Sequence, residues 1–386
     1  MAIFQYRQVA PVTFGCGAIK LLGEQVRELG CKKVIIVCDN GIVQAGITDK
    51  AAESLRAAGI DYVVYDKVVA DPPMEIVNEA GNLARAEKVD GVVGLGGGSS
   101  MDTAKGVGIM LEHPGDIYPF IQEQPLYKNT KNQKIILVPT TAGTGAECTH
   151  VAVISNVQVN MKWSVFCDPT IAIIDPELAV TLPKDETVST GLDAFAHASE
   201  ALTSSIAHEH SNVLAVAALQ KIGKWLEVSW NEPDNLQARE EMMLAANMAG
   251  VAFDNTMCHT GHSIGDALSC RYHTSHGVSC TLALPATMEL VGPAVPDKIK
   301  LVAQALNLTL KGDESGEQVG KMVAQEICSM MRRMKLKSLK ERGCKREDVI
   351  ALAPRVIANH LTDFCPVKVT LEVAKHMMER VYDMYQ

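Results

Sequence analysis

The sequence has no apolar run near the ~20 residues a membrane-spanning helix needs, and no CxxC pair. Lys and Arg number 36 against 45 Asp and Glu, a formal net charge of −9. An acidic overall balance argues against nucleic acid and against an anionic membrane as the main partner. The opening MAIFQYRQVAP lacks a basic stretch followed by an apolar one, so it does not read as a signal peptide. The 11 cysteines are an odd, scattered set, which excludes a complete internal disulfide framework and thiolate zinc ribbons. Several sit in apolar runs, as in VIIVCDN, where a free thiol behaves as a small buried hydrophobe; the reading is a reducing, cytoplasmic compartment. No internal repeat or low-complexity stretch occurs, and a 47% hydrophobic, 21% charged composition is that of a globular chain.

What is present divides into two halves of different period, and 386 residues allow two to three domains at ~150 each. KKVIIVCD (32–39), DYVVYD (61–66), DGVVGLGGG (90–98), QKIILVPTT (133–141) and IAII (171–174) read as strands buried on both faces. The segments 42–59 and 73–88 between them read as amphipathic helices. Strand alternating with helix predicts a parallel α/β sheet for residues 1–184. From 185 to 386, β-branched runs become rare and helical periodicity dominates, predicting an all-α domain that begins after Pro183.

Gly94-Leu-Gly-Gly-Gly-Ser-Ser100 follows a predicted strand and opens a helix through Met101, Asp102 and Thr103. Free amide groups and the dipole at such a helix start favour an anion, and glycines let a pyrophosphate approach the backbone. The spacing is neither the usual dinucleotide fingerprint nor a P-loop. A tight strand-to-helix turn is the plain alternative; three glycines followed by two serines favour phosphate binding. Asp39, at the end of the first of these strands, can accept hydrogen bonds from an adenosine ribose and repel a 2′-phosphate, favouring NAD(H) over NADP(H), or it can cap a helix. Thr140, Thr141 and Thr144 put hydroxyls at the carboxyl end of the fourth of these strands, where ligands of such sheets bind.

Asp193 and His197 stand at i, i+4 in an apolar context, on one helix face. They suit either a shared cation or a hydrogen-bonded Asp–His pair. His259, His262, Asp266, His273 and His276 crowd a short span further on. One Asp with three His suits Fe(II) or Zn(II); the spacing does not say which histidines ligate.

GGGSSMDTAKGV (96–107), PTTAGTGAE (139–147), DPELAVTLP (175–183), GLDAFAHASEA (191–201), the AG-AF-N pattern of 249–255 and SHGV (275–278) together resemble the iron-containing (group III) alcohol dehydrogenases. That family includes lactaldehyde reductase and 1,3-propanediol dehydrogenase. The resemblance runs nearly end to end. It implies a dehydroquinate synthase-like fold, with a dinucleotide-binding α/β domain, an all-α metal-binding domain, and the site in the cleft between them. It places the metal ligands on Asp193, His197, His262 and His276, with Fe(II) preferred and Zn(II) as the alternative. It places NAD(H) contacts on Asp39, Gly96, Gly97, Gly98, Ser99, Asp102, Thr140, Thr141, Thr144, Lys162 and Leu182. It implies a homo-oligomer and reversible hydride transfer between NAD(H) and a small alcohol or aldehyde.

Three departures bear on the chemistry. Many members carry a histidine four residues after the third ligand, near the nicotinamide; here it is Asp266. Asp266 and His273 are therefore the candidates for moving the proton. Val151 stands where some diol-active members have Asn, and Cys365-Pro-Val-Lys368 replaces a Cys-x-x-x-Asn-Pro-Arg stretch. His150, Val151, Phe253 and Cys365 are candidate pocket walls, with core packing as the alternative for each. Rival readings are a polyol-phosphate dehydrogenase or dehydroquinate synthase-like enzyme, which needs several cations converging on a phosphate, and a metal-dependent hydrolase.

Overall fold

The computed structural model describes residues 3–121, 133–156 and 161–386. The chain forms two compact units, Gln8–Leu182 and Pro183–Gln386, and the second also includes Met1–Arg7. In that second unit the Arg7 amide donates to Asn255 Oδ1 at 2.7 Å, and Asn255 Nδ2 donates back to the Arg7 carbonyl at 2.8 Å.

The first unit contains strands β1 (Val12–Phe14), β2 (Lys33–Val37), β3 (Asp61–Tyr65), β4 (Gly91–Gly96), β5 (Ile135–Pro139), β6 (Val151–Asn156), β7 (Met161–Phe166) and β8 (Ile171–Ile174). Six of them form one sheet in the order β1-β8-β5-β4-β2-β3, with every neighbouring pair parallel. Helices α1 (Leu22–Glu28), α2 (Asn40–Gln44), α3 (Ile47–Ala57), α4 (Met74–Ala86) and α5 (Gly98–Glu112) complete its main elements. Alternate strand residues enter two separate cores. Ile35, Val37, Ile135 and Leu137 pack with Val77 and Ala80 of α4 and Met101 and Ala104 of α5. Val34, Ile36, Ile136 and Val138 pack with Leu22 and Val26 of α1 and Ala51 and Leu55 of α3. A pleated strand turns successive side chains to opposite faces, so a sheet covered on both sides needs unbroken apolar strands.

Three local features differ from the sequence reading, the first being the edge strand β1 (Val12–Phe14), which was not expected. The 42–59 helix is split into α2 and α3 at Gly46, whose φ of 71° is left-handed. The antiparallel hairpin β6–β7 occupies a stretch where no strand was expected. Its first strand is half-buried, with Ala152 and Ile154 inside and Val153 39% exposed. An outward valine hides the alternation that would have marked the strand.

The second unit is helical. It contains α6 (Lys184–Thr203), α7 (Glu209–Asn231), α8 (Leu236–Asp254), α9 (Thr260–Tyr272), α10 (His276–Val291), α11 (Pro296–Ala305), α12 (Gly316–Arg333), α13 (Arg346–Ile350), α14 (Ala353–Ala358) and α15 (Leu371–Asp383). Pro183 is the N-cap of α6, with Asp185 and Glu186 in its first turn, where carboxylates complement the dipole. Ser315 and Gln318 form a reciprocal capping box at the start of α12. No helix among the described residues is long and apolar enough to cross a membrane.

Candidate active site

The candidate site residues fall into two constellations, one in each unit. In the α/β unit, β3 lies on one side of β2 and β4 on the other, so the strand order reverses there. Ligands of open α/β sheets bind at the carboxyl ends of strands at such a switch point. The residues there are Asp39, just past β2, and the glycine turn at the end of β4. Gly96 has a φ of +145°, and Gly97 is the N-cap of α5, with no side-chain cap bond and no acidic residue in the first turn. The first amides of α5 are thus left for an incoming anion. The turn is tightly framed. A Cβ on Gly98 would lie 2.8 Å from Thr144 Cγ2, and one on Gly97 3.4 Å from Thr141 Cγ2. The Thr140 amide donates to the Gly96 carbonyl at 3.0 Å. The structure therefore brings Gly96, Gly97, Gly98, Thr140, Thr141 and Thr144 together, with Ser99 in the first turn of α5.

Asp39 is also the N-cap of α2, its Oδ1 accepting from the Ile42 amide at 3.2 Å, so the capping alternative is realised. Asp102 Oδ2 accepts from the Val153 amide at 2.9 Å, tying α5 to the hairpin. Lys162 pairs with Asp71 at 2.7 Å, and the Leu182 amide donates to the Ala179 carbonyl at 3.2 Å. Fully buried Lys105 donates to the carbonyls of Thr149 and Val151 at 2.8 and 2.7 Å, fixing the entry to β6. His150 precedes that strand and tilts against Phe166 with ring centroids 4.8 Å apart.

In the helical unit, α6 carries Asp193, His197 and Glu200 at i, i+4 and i+7, all buried. Helix α9 contributes His262 and Asp266, and α10 begins with His276 and carries Cys280 one turn on. Ligand atoms of Asp193, His262, His276 and Cys280 all lie within 4.8 Å of one another. His197, Cys258 and His262 form a second, overlapping group by the same measure. His197 stacks on His262 and on Phe253, with centroid distances of 4.6 and 4.4 Å.

Glu200 fixes the orientation of His262. Its Oε1 accepts from His262 Nδ1 at 2.8 Å and its Oε2 from the His259 amide at 2.6 Å. Burial opposes this carboxylate, but the charges and hydrogen bonds of His262 and His259 outweigh it and hold the group down at about 2. With Nδ1 hydrogen-bonded to Glu200, His262 Nε2 is the ring nitrogen left facing Asp193 Oδ1, 3.9 Å away. Burial lowers His197 to about 4, so its ring is neutral near pH 7.

The donor set fits a divalent cation on one observation. Asp193 Oδ1, His197 Nδ1 and His262 Nε2 are shielded from solvent and have no hydrogen-bond partner. Three such atoms in one place are costly without a cation to share.

Asp266 is half-buried. Its Oδ2 accepts from Asn359 Nδ2 at 3.0 Å, and its Oδ1 lies 3.7 Å from His276 Nδ1. His273 is not part of the ligand cluster; it is the exposed C-cap of α9, with a φ of 54°. Cys365 is buried. Glu200, Cys280 and Asn359 were not singled out from the sequence. Glu200 and Cys280 had a legible signal, three residues beyond His197 and four beyond His276; Asn359 had none.

The family profile described as iron-containing alcohol dehydrogenase matches residues 10–176, and its C-terminal counterpart matches residues 187–382. A choline dehydrogenase of Bacillus subtilis is 32% identical over 358 residues, 91% of this chain and 88% of that protein. An NAD-dependent methanol dehydrogenase of Bacillus methanolicus is 31% identical, covering 93% of this chain and 94% of that protein. A solved 1,3-propanediol oxidoreductase superposes with a TM-score of 0.93 at 29% identity, over 99% of this chain and 100% of that one. A strand-reversal turn and a buried carboxylate–imidazole cluster are what a dinucleotide-linked metalloenzyme would need. The chain belongs to the iron-containing alcohol dehydrogenase family. It is an oxidoreductase, and the hydrolase alternative falls away.

Proposed function

We propose that this protein interconverts a small alcohol and its aldehyde with NAD(H), using one divalent cation, as a cytoplasmic homo-oligomer. The observation that carries the reading is the set of buried, unsatisfied atoms on Asp193, His197 and His262. Asp193, His197, His262 and His276 would hold the cation, Fe(II) ahead of Zn(II). When bound, it supplies a Lewis acid for the substrate oxygen.

The chain's own residues do the rest. The open amides at Gly98 and Ser99 take the pyrophosphate, and Asp39 takes the adenosine ribose hydroxyls. Thr140, Thr141, Thr144, Asp102, Lys162 and Leu182 line the path of the coenzyme. Glu200 keeps the proton of His262 on Nδ1. Phe253 lies flat on His197 and keeps water from that side of the cluster. Asp266 takes the alcohol proton at Oδ1, while Asn359 holds the other oxygen. His273, further along the same helix and exposed, hands the proton to solvent. Phe253 and Cys365, both in the helical unit, bound the substrate. The relatives are named for choline, methanol and 1,3-propanediol, and others for long-chain alcohols, so the shared element is an alcohol rather than one chain length.

The test is NADH oxidation by metal-stripped protein reconstituted anaerobically with Fe(II) or Zn(II), over a panel of short aldehydes, with NADPH in parallel. Metal-dependent turnover with NADH is the expected result. Failure to bind either coenzyme would overturn the reading. An Asp266→Asn variant with unchanged rate and pH profile would remove that residue from the proton path.

A further inference from the structure

We propose that Cys280 is a sulfur donor to the metal centre, making it a mixed carboxylate, imidazole and thiolate site. The inference rests on the reading of Asp193, His262 and His276 as ligands.

The geometry has four parts. First, the Cys280 sulfur is one of four atoms, with those of Asp193, His262 and His276, that lie within 4.8 Å of one another. Second, Cys280 Sγ is 3.5 Å from His276 Nε2. At metal–sulfur and metal–nitrogen bond lengths of ~2.3 and ~2.05 Å, donors at this separation can share one cation. Third, the unsatisfied Asp193 Oδ1 and His262 Nε2 belong to side chains only 1% and 5% exposed, in the same cluster. Fourth, the sulfur is held there by packing. Cys280 is 1% exposed and faces Gly265 of α9, where a Cβ would lie 2.5 Å from Sγ and 3.1 Å from the Cys280 backbone. Only glycine lets α10 come close enough to place this thiol. Spacing of i, i+4 from His276 puts both donors on one face of α10.

Binding the cation exchanges the thiol proton for a metal–sulfur bond and releases that proton to solvent, with no change of oxidation state. Asp193 and the thiolate then neutralise a divalent charge together. A thiolate shifts preference toward softer cations, so Zn(II), Co(II) and Cd(II) gain on Fe(II) at this site. His197, grouped with Cys258 and His262, remains available as a further donor.

The experiment loads the metal-free full-length chain with Co(II) and records its absorption spectrum for wild type, Cys280→Ser and Cys258→Ser. The expected result is a thiolate-to-cobalt charge-transfer band in the near ultraviolet that Cys280→Ser loses and Cys258→Ser keeps. Zn(II) affinity, measured by chelator competition, should fall about tenfold or more in Cys280→Ser. X-ray absorption of the wild-type zinc form needs no variant and should show one sulfur neighbour at ~2.3 Å. Cobalt bound with only nitrogen and oxygen donors overturns the proposal and leaves the metal centre standing. A band lost in Cys258→Ser and kept in Cys280→Ser overturns it as well. No Co(II) or Zn(II) binding by the wild-type chain overturns both the proposal and the metal-centre reading.

Discussion

Replacing Glu200 by Gln tests whether this buried carboxylate sets the protonation of His262. Glu200 is fully buried and accepts two hydrogen bonds, from the His259 amide at 2.6 Å and from His262 Nδ1 at 2.8 Å. Gln keeps the shape but offers one oxygen and one NH2. The His259 donor is backbone and cannot reverse, so it claims the oxygen. The NH2 then faces His262 Nδ1, which must turn from donor to acceptor. Its proton moves to Nε2, the atom facing Asp193, and that nitrogen can no longer take a cation. Loss of the charge-assisted bonds should destabilise the metal-free protein by about 1–3 kcal/mol. Metal affinity should fall ~10–100-fold, roughly 1.4–2.7 kcal/mol. Chelator competition reads the affinity, and urea unfolding of the metal-free form reads the stability. A Glu200→Gln variant that is destabilised yet binds Zn(II) within about twofold of wild type would refute the reasoning, leaving Glu200 as a packing residue.

Asp39→Ser keeps a helix-capping oxygen for the Ile42 amide, so the fold should survive while the carboxylate is lost. The NADPH-to-NADH ratio of kcat/KM should then rise about tenfold or more, and an unmoved ratio would leave Asp39 as a cap alone. Burial pushes the thiols of Cys31 and Cys328 up to about 11 and that of Cys38 up to about 12, from an ordinary value near 9. Between those values the unfolded chain loses the thiol protons and the folded chain keeps them, so stability must fall as pH rises above 9. Each thiol contributes up to about 1.4 kcal/mol per pH unit there. Urea midpoints at roughly pH 8 and roughly pH 10.5 measure the fall, and equal midpoints would contradict it.

The parallel sheet was legible because strands covered on both faces must be apolar at every position, as Val34–Val37 and Ile135–Val138 are. The hairpin was not, because the outward Val153 masks its period, and the break at Gly46 lay inside an otherwise continuous helical pattern. In the site, the glycine turn and the threonines after β5 were readable from position alone, as was the pairing of Asp193 with His197. The partners of the ligands were less visible. The Glu200 hydrogen bonds join residues 59 and 62 positions apart, and Asn359 reaches Asp266 across 93. Such pairings are set by how α6, α9 and the segment after α14 pack, which periodicity does not encode.

The pairing of Arg7 with Asn255 has a consequence for how the chain is made. The α/β unit occupies Gln8–Leu182 without interruption, whereas the helical unit takes its first residues from one side of it and all the rest from the other. Arg7 leaves the ribosome early, yet its hydrogen-bond partner lies 248 residues downstream. At ~5–20 residues per second, that partner arrives on the order of 10–50 s later. During nascent-chain growth the α/β unit can therefore close first as a complete foldon. The leading segment must wait for its partners, which come in two instalments: His208 and His210 at the start of α7 for the rings of Phe4 and Tyr6, and Asn255 after α8 for Arg7.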